Sequence, residues 1–137
     1  MFKKVLSLLV AIVFSVSMIG GTVWASNITP YDISGHIKNS GLSISNKTAT
    51  CTSSYAGADG ECASIKIVQT LEKHSWLFFW DPISENTKTY YNTDDVYFKN
   101  YKYNLESGTY RVKSVFTVTL KDGRSETVTV YSGERTA

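Results

Sequence analysis

Residues Tyr110 to Leu120 alternate without a break, with Tyr110, Val112, Ser114, Phe116, Val118 and Leu120 on one parity and Arg111, Lys113, Val115, Thr117 and Thr119 on the other. A period of two sustained over this length is a β-strand with one buried side, because successive side chains of an extended chain point to opposite faces. The chain supplies a partner at once. Lys121-Asp122-Gly123-Arg124 contains the Asp-Gly pair of a tight hairpin, where Gly accepts a positive φ, and Thr127 to Tyr131 returns with Val128 and Val130 on a shared face.

Upstream, the same grammar repeats. Leu42 and Ile44 alternate with Ser43 and Ser45, Asn46-Lys47 reads as a turn, and the Thr-rich stretch Thr48 to Ser54 completes a short hairpin. Tyr55 to Gly60 is a loop by its glycine content. Ala63 to Leu71 is a β-branched run, His74 to Trp80 an apolar strand, and Asp81-Pro82 a stop, since proline gives no amide to a ladder. A short edge strand fits between Ile83 and Asp95, and Val96 to Tyr103 reads as another strand. No segment offers ten residues of helical period. About seven strands at intervals of roughly 8 to 15 residues predict an all-β fold, a two-sheet sandwich of immunoglobulin or fibronectin type over residues 41–137, with a small barrel as the alternative. Residues 26–40 settle into neither period and read as an irregular lead-in. Tyr110 stands where such a sandwich places a corner tyrosine whose hydroxyl ties the strand to the preceding loop; it serves equally well as one more core aromatic.

The first 25 residues carry a different message. Lys3 and Lys4 precede the 14-residue apolar run Val5 to Met18, followed by Gly20-Gly21 and Val23-Trp24-Ala25. This is the layout of a secretory signal peptide cleaved after Ala25, and the run falls short of the roughly 20 residues that cross a bilayer as a helix. Cleavage removes the two lysines by which 14 Lys and Arg exceed 12 Asp and Glu, so the exported chain is formally neutral. Nucleic-acid binding and electrostatic adhesion to an anionic membrane both draw on a surplus of cations, and none remains, so neither a nucleic acid nor, after cleavage, a membrane is an expected partner. The expected location is extracellular, with retention at the cell wall left open.

Cys51 and Cys62 are the two cysteines. In an oxidising compartment they are expected to pair, a crosslink of roughly 2 to 3 kcal/mol for a loop of this size; two free thiols are the other possibility. An enzyme needs proton-moving or attacking groups within mutual reach. His36, His74, Asp59, Glu85, Asp94 and Asp95 are the available groups, and none sits in a nucleophile motif, a phosphate loop or a metal-ligand cluster. The histidines read as solvated or partly covered, and Asp94-Asp95 as a solvated turn. No catalytic residue, metal or cofactor is expected.

The compositional excess is aromatic. Tyr97, Tyr101 and Tyr103 share one parity with Lys99, while Phe98 points the other way, into the core. Such a row stacks on sugar rings, centres a protein interface, or merely covers its neighbours. Trp76, Phe78 and Trp80 alternate with Leu77 and Phe79, so both faces of that segment are apolar; it is read as a central strand, the alternative being an exposed patch for a partner. The sequence therefore predicts a secreted, non-catalytic protein that binds an unidentified protein or glycan, with Tyr97, Tyr101, Tyr103, Trp76 and Trp80 as candidate contacts. A carbohydrate-binding module using the tyrosines, self-association through Trp76 to Trp80, and a small hydrolase using His74 or Asp94 are the competing readings.

Ala49-Thr-Cys51, the run Ile65 to Lys73 before a tryptophan, Gly108 to Lys113 and Ser125 to Thr127 resemble, over Leu42 to Ser132, a family of short exported proteins of Gram-positive, mainly clostridial, bacteria with no assigned function. The segment His74 to Trp80 departs from that pattern in being far more apolar. The resemblance implies secretion and a β-sandwich, and it transfers no site.

Overall fold

The structure is a computed structural model that describes residues 36–57 and 60–137. The expected signal peptide, residues 1–25, and residues 26–35 of the expected lead-in lie outside the described residues. Eight strands follow one another: β1 (Ile37–Ser45), β2 (Thr48–Ala56), β3 (Cys62–Trp76), β4 (Phe79–Tyr91), β5 (Asp95–Lys102), β6 (Thr109–Leu120), β7 (Ser125–Tyr131) and β8 (Arg135–Thr136). No helix occurs among the described residues. All pairings are antiparallel, in two sheets with the orders β1-β2-β5 and β4-β3-β6-β7, and β8 extends the second along the free end of β6. The fold is a β-sandwich of the expected type, with β4 paired to β3 as in the fibronectin arrangement.

Local chemistry accounts for most of this. Tyr110 to Leu120 alternates between buried and half-buried along its whole length, as its sequence parity requires. Asn46 and Lys47 both take left-handed φ values of 50° and 59°, closing the β1–β2 turn, and Gly123, at φ 93°, closes β6–β7 with its amide donating to the Leu120 carbonyl. The Tyr110 hydroxyl donates to the Glu106 carbonyl at 2.6 Å, so Tyr110 is both a core residue and the corner tie.

Three boundaries differ from expectation. β1 begins at Ile37, inside the stretch read as irregular, because pairing with β2 from Ile37↔Ala56 onward overrides its weak local pattern. β4 runs straight through Pro82: it is an edge strand, and a bulge that leaves Ile83 unpaired between Glu72↔Pro82 and Leu71↔Ser84 lets the ladder do without the missing amide. His74 to Trp80 is a hairpin end and not a central strand, as described below.

The core is divided. Tyr55, Cys62, Ile65, Ile67, Val96, Phe116, Val118 and Leu120 form one apolar cluster, and Leu42, Ala49, Cys51, Leu71, Leu105, Tyr110 and Val112 form another. Between them a chain of polar groups crosses from sheet to sheet. Asn100 Nδ2 donates to Gln69 Oε1 at 2.9 Å, and Gln69 Nε2 donates to Ser53 Oγ at 2.8 Å and to the Phe98 carbonyl at 3.2 Å. Ser114 Oγ donates to Ser40 Oγ at 2.8 Å, which donates to the Val112 carbonyl at 3.2 Å. A hydroxyl has one proton, and that of Ser114 is spent on Ser40, so in the 2.6 Å contact between Ser53 and Ser114 it is Ser53 that donates. The chain is thus ordered head to tail, and no buried side-chain nitrogen or oxygen among the described residues lacks a partner.

The expected disulfide is not made. Cys51 and Cys62 are separate buried thiols, one in each apolar cluster. Cys62 packs in the cluster of Tyr55, and Cys51 lies four residues earlier on β2, roughly 13 Å back along the strand, beyond the roughly 7 Å between Cα atoms that a disulfide spans. Short sequence separation misleads here because β2 carries the chain on from Cys51 to Ala56 before Cys62 opens β3 in the other sheet. Protein unfolded without reductant is expected to titrate with two thiols per chain. Gln69→Ala leaves Ser53 and Asn100 short of partners and opens a cavity, so urea unfolding should show a loss of about 2 to 4 kcal/mol.

Candidate binding surface

β3 pairs with β6 only as far as Lys73↔Tyr110, whereas its pairing with β4 continues to Trp76↔Phe79. The last three residues of β3 and their partners therefore project past the sheet as a two-stranded ribbon, roughly 10 Å long. Its end is apolar and uncovered: Trp76 is 67% exposed, Leu77 57%, Phe78 89% and Phe79 60%. The strand reading of this segment is thus corrected. Its even and odd positions do not face two halves of a core, because the chain reverses at Leu77-Phe78.

A lone ribbon is marginal in water, and this one is braced. Leu77 holds a left-handed φ of 49°, a conformation that favours glycine and is costly for a branched, bulky residue. The Leu77 carbonyl contacts His74 Nε2 at 2.6 Å, and Ser75 Oγ donates across to the Phe79 carbonyl at 3.2 Å. The Trp76 and Phe79 rings stack within 3° of parallel at 6.2 Å. At the base, His74 meets Trp80 edge to face at 5.1 Å. The Arg111 guanidinium lies between the Trp80 ring, 4.2 Å from its centroid, and the Tyr131 ring, at 4.3 Å, while its Nε donates to Glu72 at 2.9 Å. This places Trp80, half-buried, in a stack that spans β4, β6 and β7. An open cleft of about 450 Å³ lies beside it, lined by His74, Leu77, Phe78, Trp80, Thr109, Arg111 and Glu134.

Of the residues singled out in the sequence, Trp76 and Trp80 share this hairpin. Tyr97, Tyr101 and Tyr103 are elsewhere, exposed along and just beyond β5 in the other sheet. Tyr101 and Tyr103 stack on each other at 6.2 Å, Lys99 Nζ lies over the Tyr101 ring at 5.5 Å, and the Tyr97 carbonyl accepts from the Tyr90 hydroxyl at 3.3 Å. Part of their ring surface is already covered by neighbours. Arg111 and Tyr131 were not singled out by the sequence, where they read as outward positions of ordinary strands; the stack exists only because β4 and β7 flank β6 and β3 in one sheet.

The candidate reactive groups do not converge. The Asp94 carboxylate accepts from the Cys62 amide at 3.0 Å and from the Gly60 amide, which clamps the β2–β3 loop. His74 lies at the other end of β3, twelve residues from Cys62 and roughly 40 Å away. His36 Nδ1 is hydrogen-bonded to the Tyr55 hydroxyl. Burial pushes the Cys51 and Cys62 thiols up to about 11, so both are protonated near neutral pH and poor nucleophiles. Among the described residues no three His, Cys, Asp or Glu side chains are grouped to hold a metal ion.

No protein-family model matches the chain, and no curated protein matches it. Among solved structures, a crystal structure of wild-type OgpA from Akkermansia muciniphila is similar at a TM-score of 0.37 and 9% identity, over 80% of this chain and 33% of that one. The chain therefore spans about a third of that protein.

The backbone amides of Gly60 and Cys62 hold Asp94 below its ordinary value of 3.8. A carboxylate lowered in this way adds stability that is complete above 3.8 and is lost as pH falls through its native value. Asp94→Asn should lower the urea midpoint at pH 7, and the gap from wild type should close as the pH is taken below 3.8.

Proposed function

We propose that this protein is an exported, non-catalytic binding module that docks through the tip of its β3–β4 hairpin. The observation that carries the reading is the run Trp76-Leu77-Phe78-Phe79, four consecutive large apolar side chains left uncovered on a braced, overhanging turn. Water-exposed apolar side chains in such a run gain free energy on being covered, about 25 cal/mol for each Å² removed from water. Leu77 sharpens the point: glycine would relax the turn, and the chain instead keeps a side chain that adds apolar surface at the cost of backbone strain.

The remaining surface supports the same reading. The edge strand β4 is interrupted by Pro82 and the bulge at Ile83, devices that discourage strand-to-strand association. The carboxylate of Asp94 and the ring of His74 are engaged in holding loops, and the two thiols are suppressed by burial. The signal-like leader accounts for delivery to the envelope or the medium.

The test is co-sedimentation of the purified protein with isolated Gram-positive cell envelopes. Phe78→Asp and Leu77→Gly should each lower the bound fraction several-fold. Leu77→Gly should at the same time raise the unfolding free energy by about 1 kcal/mol, since it relieves the left-handed strain. Tyr101→Ala should leave binding unchanged; if it abolishes binding while the hairpin variants do not, a carbohydrate platform on β5 replaces this reading.

A further inference from the structure

Resting on the docking role of the hairpin, we infer that its occupant is the interface of a zwitterionic phospholipid bilayer, into which Trp76, Leu77, Phe78 and Phe79 insert. Shape gives the first argument. The tip projects past the sheet as a narrow ribbon, and its four side chains are 57 to 89% exposed. A flat protein surface covers one side of such a ribbon, and a fluid apolar phase covers all of them. Immersion to the Trp76–Phe79 rung sinks the tip by roughly the 5 to 10 Å that interfacial elements occupy, and tryptophan and phenylalanine rings suit that depth.

Charge gives the second. From Ser75 to Trp80 there is no ionised side chain. Directly behind, Lys73 is paired with Glu106 at 3.2 Å and Arg111 with Glu72 at 2.9 Å, and the exposed Asp81 stands opposite Lys73 on β4, so the base of the ribbon offers no surplus of cations. The cleft that opens beside Leu77 and Phe78 has Arg111, already paired with Glu72, and Glu134 on its walls, so it presents no free cation to an anionic headgroup. This matches a zwitterionic layer and gives no attraction to an anionic one. The neutral balance of the chain, which speaks against electrostatic adhesion, is no obstacle to apolar insertion.

The experiment uses the exported chain, residues 26–137, whose only tryptophans are Trp76 and Trp80. It is mixed with phosphatidylcholine vesicles containing lipid brominated near the headgroup end of the acyl chains. Tryptophan emission should shift to the blue and be quenched, and raising salt from about 0.1 to 1 M should not reverse this, since the screening length falls from about 10 to 3 Å without effect on apolar burial. Phe78→Asp should weaken the partition by about tenfold or more and abolish quenching, with its urea midpoint unchanged because Phe78 is already in water. Unquenched hairpin tryptophans on vesicle-bound protein, quenching that survives Phe78→Asp, or binding seen only with anionic vesicles at low salt would each overturn the lipid assignment. If quenching is absent while Phe78→Asp still loses envelope binding, the hairpin docks on something else; if both effects are absent, the docking reading falls with it.

Discussion

The fold depends on a single chain of hydrogen bonds running from Asn100 through Gln69, Ser53, Ser114 and Ser40 to the Val112 carbonyl. Its members alternate between the two sheets, with Asn100, Ser53 and Ser40 on one and Gln69 and Ser114 on the other. Polar groups in a sandwich interior are costly unless every proton finds an acceptor. Here the accounting closes, and it closes in one alignment of the sheets only: sliding one sheet over the other by a residue, roughly 3.3 Å, would carry these donors out of reach of their acceptors. The chain therefore fixes the position of one sheet on the other, while the two apolar clusters on either side supply most of the burial.

That fixed register decides where the hairpin ends up. With Gln69 held at the centre of the sandwich, β3 has Leu71 as its last deeply buried aliphatic residue and leaves β6 at Lys73. Whatever follows must project. The segment that follows is strongly apolar, and the stack of Trp80, Arg111 and Tyr131 secures its base so that it projects as a ribbon instead of folding back. Stability and display are thus served by different parts of the same strand.

The strands were legible where one physical effect dominated. Tyr110 to Leu120 reads correctly because burial on one side leaves a period of two, and the turns at Asn46-Lys47 and Asp122-Gly123 read correctly because few residues tolerate left-handed φ. Reading failed where two explanations produce the same letters. An apolar stretch such as Trp76 to Trp80 fits burial on both faces and equally exposure at the end of a hairpin. Two cysteines eleven positions apart, as Cys51 and Cys62 are, fit a bridged loop and fit equally well two successive strands in different sheets. Pro82 stops a central strand and is tolerated at an edge with a bulge.

The amino-acid order by itself determined that the described residues are all-β, that Tyr110 to Leu120 faces a core on one side, and that the tyrosines at 97, 101 and 103 point away from it, because these follow from local stereochemistry and the period of a strand. Only the tertiary structure decided that serine, glutamine and asparagine join into one buried chain, that the two thiols stay apart, and that Arg111 lies between two rings from other strands. Those outcomes depend on which residues of distant segments meet, and a pairing between sheets leaves no period in either segment from which it could be read.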